Sequence, residues 1–310
     1  MSPAQRRKRL VKLRTKKNGK KSLKKFAIIF LVGLLAFLFI SLQTKFWSSS
    51  DKMSLVMRKE NGDVIISVFE PEQEKITNLI IPENTEVNVA RQLGRWKLRS
   101  VWELGENEKL GGRLLAETFV KHFKLPVVAW ADSPAVGFAE GDLGKVIRAS
   151  LLPYKTNLGI GDKLKLGFFS FKIKNLKRED IDFSENNILK KTVLLDGEEG
   201  YILTNSLPNY ILALFSNSEI SNRSIRAAII DGTGKAKVAE DVGEIIEVMG
   251  AKLANIKKGE VADIDCLVSG REKVVAEEVA EVLSCEKSKE LPEGNFDLEI
   301  KIGTEFAKRF

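Results

Sequence analysis

The sequence predicts an α+β protein made of an N-terminal transmembrane helix, a mixed α/β ectodomain, and a small β-α-β-β-α-β two-layer domain. Three observations predict it: one uncharged apolar run long enough to span a bilayer, helical and alternating apolar periods through the rest, and a sharply divided charge. The 310 residues hold 50 Lys+Arg against 42 Asp+Glu, a formal net charge of +8. Twelve of those cations lie in residues 1–25, where there is no acid, and residues 51–310 hold 37 Lys+Arg against 42 Asp+Glu. The body is therefore mildly acidic.

Residues 1–25 read as a basic cytoplasmic tail. After it, Phe26 to Leu42 reads FAIIFLVGLLAFLFISL and no charge follows until Lys45. Those 19 uncharged residues, 26–44, span about 28 Å as a helix, close to the hydrocarbon thickness of a membrane. Cations stay on the inner side, so the N-terminus is expected in the cytoplasm and the rest outside a cell membrane crossed once. A cleaved signal peptide has the same order of charge and apolar core. It would also need a small-x-small cleavage pattern, and the stretch after Leu42, Gln43 to Trp47, has none, so an anchor is the preferred reading. The tail attracts anionic membrane lipids by the same charge. Nucleic acid is not needed to explain it, because no aromatic residues are interleaved with the cations.

Residues 51–215 form the expected mixed ectodomain. Leu55-Val56-Met57, Asn61-Gly62 and Val64 to Phe69 read as a hairpin whose tight turn puts both Asn61 and Gly62 at positive φ. Ile76 to Ile81 is a third strand, ended by Pro82. Leu115, Phe119 and Phe123 recur at helical spacing, and Val127 to Trp130 is a further strand. A polar Ser/Asn-rich stretch, 216–224, reads as a linker.

Residues 225–310 are the second domain. Ile225 to Ile230 is a strand, and Val238, Val242, Ile245, Ile246 and Met249 are a helical stripe. Leu253 to Ile256 and Ile264 to Val268 are strands, and Val275, Val279, Val282 and Leu283 mark a second helix. In the last strand Phe296, Leu298, Ile300 and Ile302 alternate with charged residues, the pattern of a sheet with one wet face. This order fits a split-βαβ sandwich with both helices on one face. Gly232-Thr233-Gly234 reads as a βα turn, since the third glycine of a dinucleotide fingerprint and a Walker lysine are absent.

The Asp231-Gly232-Thr233-Gly234 turn and the closing Asp297-Leu298-Glu299-Ile300-Lys301-Ile302-Gly303 make this domain resemble the C-terminal domain of LytR-type cell-envelope proteins. Ser50-Asp51, Ile81-Pro82, Lys97-Leu98 and Gly111-Gly112 make residues 50–130 similar to the LytR-CpsA-Psr catalytic domain. That resemblance implies transfer of a polyprenyl-pyrophosphate-linked glycan to peptidoglycan, with arginines and acids binding phosphate and a divalent metal. The family's Ile-Pro-Arg-Asp is here Ile81-Pro82-Glu83-Asn84, which adds repulsion toward a pyrophosphate and removes a charged Mg²⁺ ligand. Asp51 alone matches a family acid.

The expected function is a membrane-anchored extracytoplasmic cell-envelope protein that binds wall or glycan components, or another envelope protein, without catalysis. No cofactor and no metal ligand set is then implied. One alternative is an active Mg²⁺-dependent glycopolymer phosphotransferase, and another is a membrane-tethered regulator acting through its basic tail. Candidate anionic-ligand residues are Arg91, Arg95, Arg99 and Arg113, set against neighbouring glutamates that would pair with them. His122, the one histidine, has no Cys or repeated carboxylates near it in sequence, so a buried-face reading is preferred to a metal or general-base role and no Ser-His-Asp or Cys-His arrangement is proposed on it. Cys266 and Cys285 are both outside the membrane in this topology. A strand followed by a returning helix brings them together as a candidate disulfide, the alternative being two buried thiols.

Overall fold

The computed structural model describes residues 29, 32, 33, 44–47 and 51–310. The basic tail and most of the transmembrane helix read over 26–44 lie outside the described residues, among which no helix is long and apolar enough to cross a membrane.

Near-continuous apolar runs set up β1 (Met53–Arg58), β2 (Val64–Glu70) and β3 (Lys75–Ile81) as an antiparallel meander. The β1–β2 connection has five residues, closed by Lys59 N–H to Asp63 O at 2.8 Å. Only Gly62 takes a positive φ there, 94°. The two-residue turn expected for Asn61-Gly62 is thus replaced by a longer loop in which Asn61 donates to the Asp63 carboxylate at 2.7 Å. Next come β4 (Thr85–Asn88), β5 (Arg95–Lys97), α1 (Leu98–Asn107) and α2 (Arg113–Phe123), after which β6 (Ala129–Ala131) pairs in parallel with β1. Three helices follow, α3 (Val136–Glu140), α4 (Leu143–Leu151) and α5 (Ile160–Lys172), and β7 (Arg178–Asp182) joins β3 in parallel. The first sheet therefore has the order β6-β1-β2-β3-β7. β8 (Leu189–Val193) and β9 (Glu199–Leu203) complete a second sheet, β5-β4-β9-β8.

The first sheet is apolar on both faces because both are covered. One face, with Val56, Ile66, Val68 and Leu79, packs against α1 and α2 through Trp102, Leu115 and Phe119. The other, with Leu55, Met57, Ile65 and Phe69, packs against α3 to α5 and against Trp47. Two polar devices fix the second layer. Arg178 donates to the carbonyls of Phe138, Ala139 and Ser170, satisfying helix-end acceptors of α3 and α5. Gly141 lies at φ 76° beside it, where a Cβ would meet the guanidinium at 2.3 Å. The fully buried Asp162, in the first turn of α5, accepts from the backbone N–H groups of Lys45, Phe46, Trp47 and Gly159 at 2.9–3.1 Å. Trp47 sits edge-on to Phe169 at 5.3 Å.

Residues 204–225 run through α6 (Asn209–Leu212) and α7 (Ser218–Asn222). The stretch 216–224, read as a linker, thus contains a helical turn capped by Asn217, with Ile220 buried. Beyond it lie β10 (Arg226–Asp231), α8 (Val238–Val248), β11 (Lys252–Lys258), β12 (Cys266–Gly270), α9 (Lys273–Leu283), β13 (Glu286–Lys287), β14 (Leu298–Ile302) and α10 (Thr304–Arg309). The expected β-α-β-β-α-β elements occur in order, with β13 added before the last strand and α10 after it, and α8 and α9 share one core against Ala227, Ile229, Val268 and Ile300. The pairing is not that of a split βαβ. The sheet order is β11-β10-β14-β12-β13, with β10 parallel to both neighbours and β12 antiparallel to β14. β10-α8-β11 is an ordinary crossover between adjacent parallel strands, and β14 enters on the far side of β10. Arg309 donates to the Leu283 and Ser284 carbonyls at the end of α9 and to the Cys266 sulfur. Gln92 donates to the Ala307 and Lys308 carbonyls, tying α10 to the loop between β4 and β5.

Candidate functional site

The four candidate arginines do not converge on one anion site. Arg91 and Arg113 both engage Glu117, at 2.7 and 2.8 Å, across the exposed edge of α2. Arg95 pairs with Glu86 at 3.5 Å, and Arg99 with Glu198 at 3.4 Å. Lys97 is held between Asp196 and Glu198, and those carboxylates raise its pKa. The carboxylate of Glu117 raises that of Arg91 in the same way. Each arginine charge is thus already faced by a carboxylate of the chain.

Asp51 is elsewhere. It lines a cavity of about 550 Å³ with Lys52, Asn217, Glu277, Glu278 and Glu281, and none of the four arginines lines it. Burial pushes Glu278 above the ordinary carboxylate range, against the opposing pull of the hydrogen bond from Asn217 at 2.7 Å. The Mg²⁺ that the family resemblance implies has no assembled donor set: Asn84 directs its amide to the Glu199 carbonyl at 3.1 Å. Among the described residues no group of three or more His, Cys, Asp or Glu is placed to hold a metal. Cys266, at the start of β12, and Cys285, just after α9, are joined as a disulfide with Cα atoms 5.0 Å apart.

The cavity with the chemistry of a ligand site lies where α2, the 203–216 segment and α8 meet, and has a volume of about 800 Å³. Its floor is apolar, from Phe123, Leu207, Leu212 and Val248, and its walls carry the neutral polar groups of Thr204, Asn205, Ser206, Asn209 and Ser216. Glu244, Glu247 and Lys124 are its charged lining residues, and Lys124 is paired with Asp241 at 2.6 Å. His122 lines it too. Burial first, then Lys124, Lys121 and Arg95, lower its pKa to about 4, so the ring is neutral at neutral pH. Nδ1 accepts from the Asn88 N–H at 3.4 Å, which assigns the proton to Nε2. Nε2 is buried and has no hydrogen-bond partner. Such orphans are uncommon in folded proteins.

The sequence pattern passed over this site. Residues 204–209, Thr-Asn-Ser-Leu-Pro-Asn, have the composition of a connecting loop, and the usable signal was the concentration of amides and hydroxyls beside a helix carrying the lone histidine. Taken together, the cavity suits a neutral, polyhydroxylated molecule. Amides and hydroxyls exchange hydrogen bonds with sugar hydroxyls, while the apolar floor takes a ring face.

No protein-family model matches the chain, and no curated protein sequence matches it. Its neighbours among solved structures include LytR-CpsA-Psr proteins. B. subtilis TagT is 14% identical over 52% of this chain and 87% of its own, with a TM-score of 0.38. B. subtilis TagV is 9% identical, covering 50% and 91%, with a TM-score of 0.36. The LytR-CPS2A-psr family protein YwtF (TagT) with bound octaprenyl pyrophosphate lipid is 14% identical, covering 78% and 95%, with a TM-score of 0.25.

Proposed function

We propose that this chain is a membrane-anchored, extracytoplasmic cell-envelope protein that binds wall glycan through the amide- and hydroxyl-lined cleft beside His122, without phosphotransfer. The cleft carries the reading: its neutral amides and hydroxyls and apolar floor suit sugar rings. Pyrophosphate transfer needs cations free to face a developing charge. The four arginines are instead engaged by Glu117, Glu86 and Glu198. The anchor is supported by the 19-residue uncharged run and the twelve cations before it.

The test uses the full chain in nanodiscs and purified peptidoglycan sacculi. Co-sedimentation is expected, and an Asn205→Ala, Asn209→Ala double variant should lower affinity by about tenfold or more, equivalent to about 1.4 kcal/mol. Absence of binding, or binding unchanged in the variant, refutes the cleft as the glycan site. A parallel reaction with polyprenyl-pyrophosphate-linked glycan, sacculi and Mg²⁺ should yield no transfer. Transfer abolished by Arg95→Ala, Arg99→Ala would establish the transferase alternative. For topology, protease added to spheroplasts should digest the body and spare an epitope placed before Lys25.

A further inference from the structure

The charge of the body is not evenly spread. Residues 143–177, which hold α4 and α5, contain eight Lys and Arg and one acid, Asp162, in a body where acids otherwise exceed bases. That acid is fully buried and taken up by backbone N–H groups. Glu140, Glu106 and Glu74, from outside the stretch, pair with Lys145, Lys155 and Lys172, so the basic charge of the two helices is offset only in part. The same two helices expose large apolar side chains at helical spacing: Leu143, Ile147 and Leu151 on α4, and Ile160, Phe168 and Phe171 on α5. Each is 50–74% exposed. Their opposite faces, with Val146, Ala149, Leu166 and Ser170, are buried toward the first sheet. A helix that is apolar on both sides needs a second apolar neighbour. Bases around an outward apolar stripe are the pattern of a helix lying in the interface of an anionic membrane.

Placement selects the occupant. The apolar run ends at Leu42, and Gln43 alone separates it from Thr44. Two residues of chain reach at most about 7 Å. The segment that follows is held at three successive N–H groups by Asp162 in the first turn of α5, and Trp47 is buried against Phe69 and Phe169. The point where the chain would leave the bilayer is therefore bonded to one of the two helices with the apolar stripe, with no slack to hold that helix away. We infer that α4 and α5 form a membrane-docking surface, seating the body on the outer leaflet with Ile147, Leu151, Phe168 and Phe171 among the acyl chains. The inference rests on the proposed anchor and deepens it: the body lies on the membrane rather than standing off on a tether.

The experiment uses the full chain reconstituted in phosphatidylglycerol–phosphatidylcholine vesicles. Both native cysteines are in the disulfide, so an introduced thiol can be labelled selectively without reductant. Ile147→Cys, Phe168→Cys and, as control, Leu195→Cys in the β8–β9 turn, 85% exposed, each receive a nitrobenzoxadiazole label. Nitroxide-bearing lipids should quench the labels at 147 and 168 at least about twofold more than the one at 195. Two separate sites are read so that misfolding of one variant cannot decide the result. Equal quenching at all three positions overturns the inference. So does a label at 147 or 168 that lipid nitroxides spare but nitroxide-labelled second copies quench, which would make this face a contact between copies. Alkaline carbonate extraction separates the two readings. A chain that resists extraction while its 147 and 168 labels stay unquenched defeats the docking surface alone, whereas a chain released into the supernatant defeats the anchor and the inference with it.

Discussion

His122 makes stability depend on pH in a way that can be worked out beforehand. Its folded pKa is about 4, lowered chiefly by burial, against about 6.5 in an unfolded chain. As pH falls below 6.5 the unfolded state takes up a proton that the folded state refuses. Stability is therefore lost through this window, with a limiting slope of about 1.4 kcal/mol per pH unit, and the loss levels off below pH 4, where both states are protonated. Between pH 7 and pH 4 the integrated loss is about 3 kcal/mol. Other groups titrate there as well, since burial raises Glu278 and Glu281 in the opposite sense, so the quantity to measure is a difference. His122→Gln keeps an acceptor for the Asn88 N–H and removes the titration. Urea unfolding of both proteins in detergent at pH 7, 5.5 and 4 should show the wild type losing about 3 kcal/mol more than the variant. Because the chain has one histidine, its imidazole NMR signal needs no assignment by mutation. Parallel pH profiles for the two proteins, or a titration midpoint above about 6, would refute the burial argument.

Removing the disulfide by Cys266→Ser, Cys285→Ser should lower stability by about 3 kcal/mol, from the entropy of a loop closed over a separation of 19, read as a lower urea midpoint. An unchanged midpoint would show that the crosslink does not constrain the unfolded chain. Gly141→Ala places a methyl 2.3 Å from the Arg178 guanidinium at a positive φ, and should cost about 2–3 kcal/mol in thermal or urea unfolding. A loss under about 0.5 kcal/mol would mean that Arg178 moves aside freely. Asp162→Ala leaves three successive N–H groups without their acceptor, worth about 2–4 kcal/mol of local stability. Trypsin should then cut after Lys45 at least about tenfold faster than in the wild type, and equal rates would refute the clamp.

Residue pattern was most informative where one periodicity ran uninterrupted. β1 to β3 are short apolar runs broken by Asn61-Gly62 and closed at Pro82, and α2 carries Leu115, Phe119 and Phe123 on one face. In the C-terminal unit the element order was readable, yet the strand order was not. Alternation tells which side of β14 faces the helices but not which strands flank it, and both a split βαβ and the observed order place Leu298, Ile300 and Ile302 in the core. The opposite side, expected to be wet, instead buries Glu299, paired with Lys301 at 3.2 Å. The stretch 133–216 resisted reading for different reasons. α5 carries apolar residues on its outer face as well as its inner one, so the amphipathic signal is blurred. β7, Arg-Glu-Asp-Ile-Asp, is an edge strand with little apolar pattern. The arginines misled through proximity in sequence: Arg91, Arg95 and Arg99 look like one patch, but Glu117 and Glu198 reach them from other elements.

The place of β14 in its sheet has a consequence for biogenesis. It is the last strand of the chain and the central one of five, with β10 and β11 on one side and β12 and β13 on the other. Until residues 298–302 have been made, β14 cannot join the two halves, and each presents an open edge that invites wrong partners. During synthesis from the N-terminus, residues 51–215 can mature while the C-terminal unit waits as two unjoined halves. Its assembly is a single event, timed by the emergence of residues 298–302. A ribosome stall before residue 298, or a nick that releases β14, would therefore abolish the whole unit rather than one strand of it.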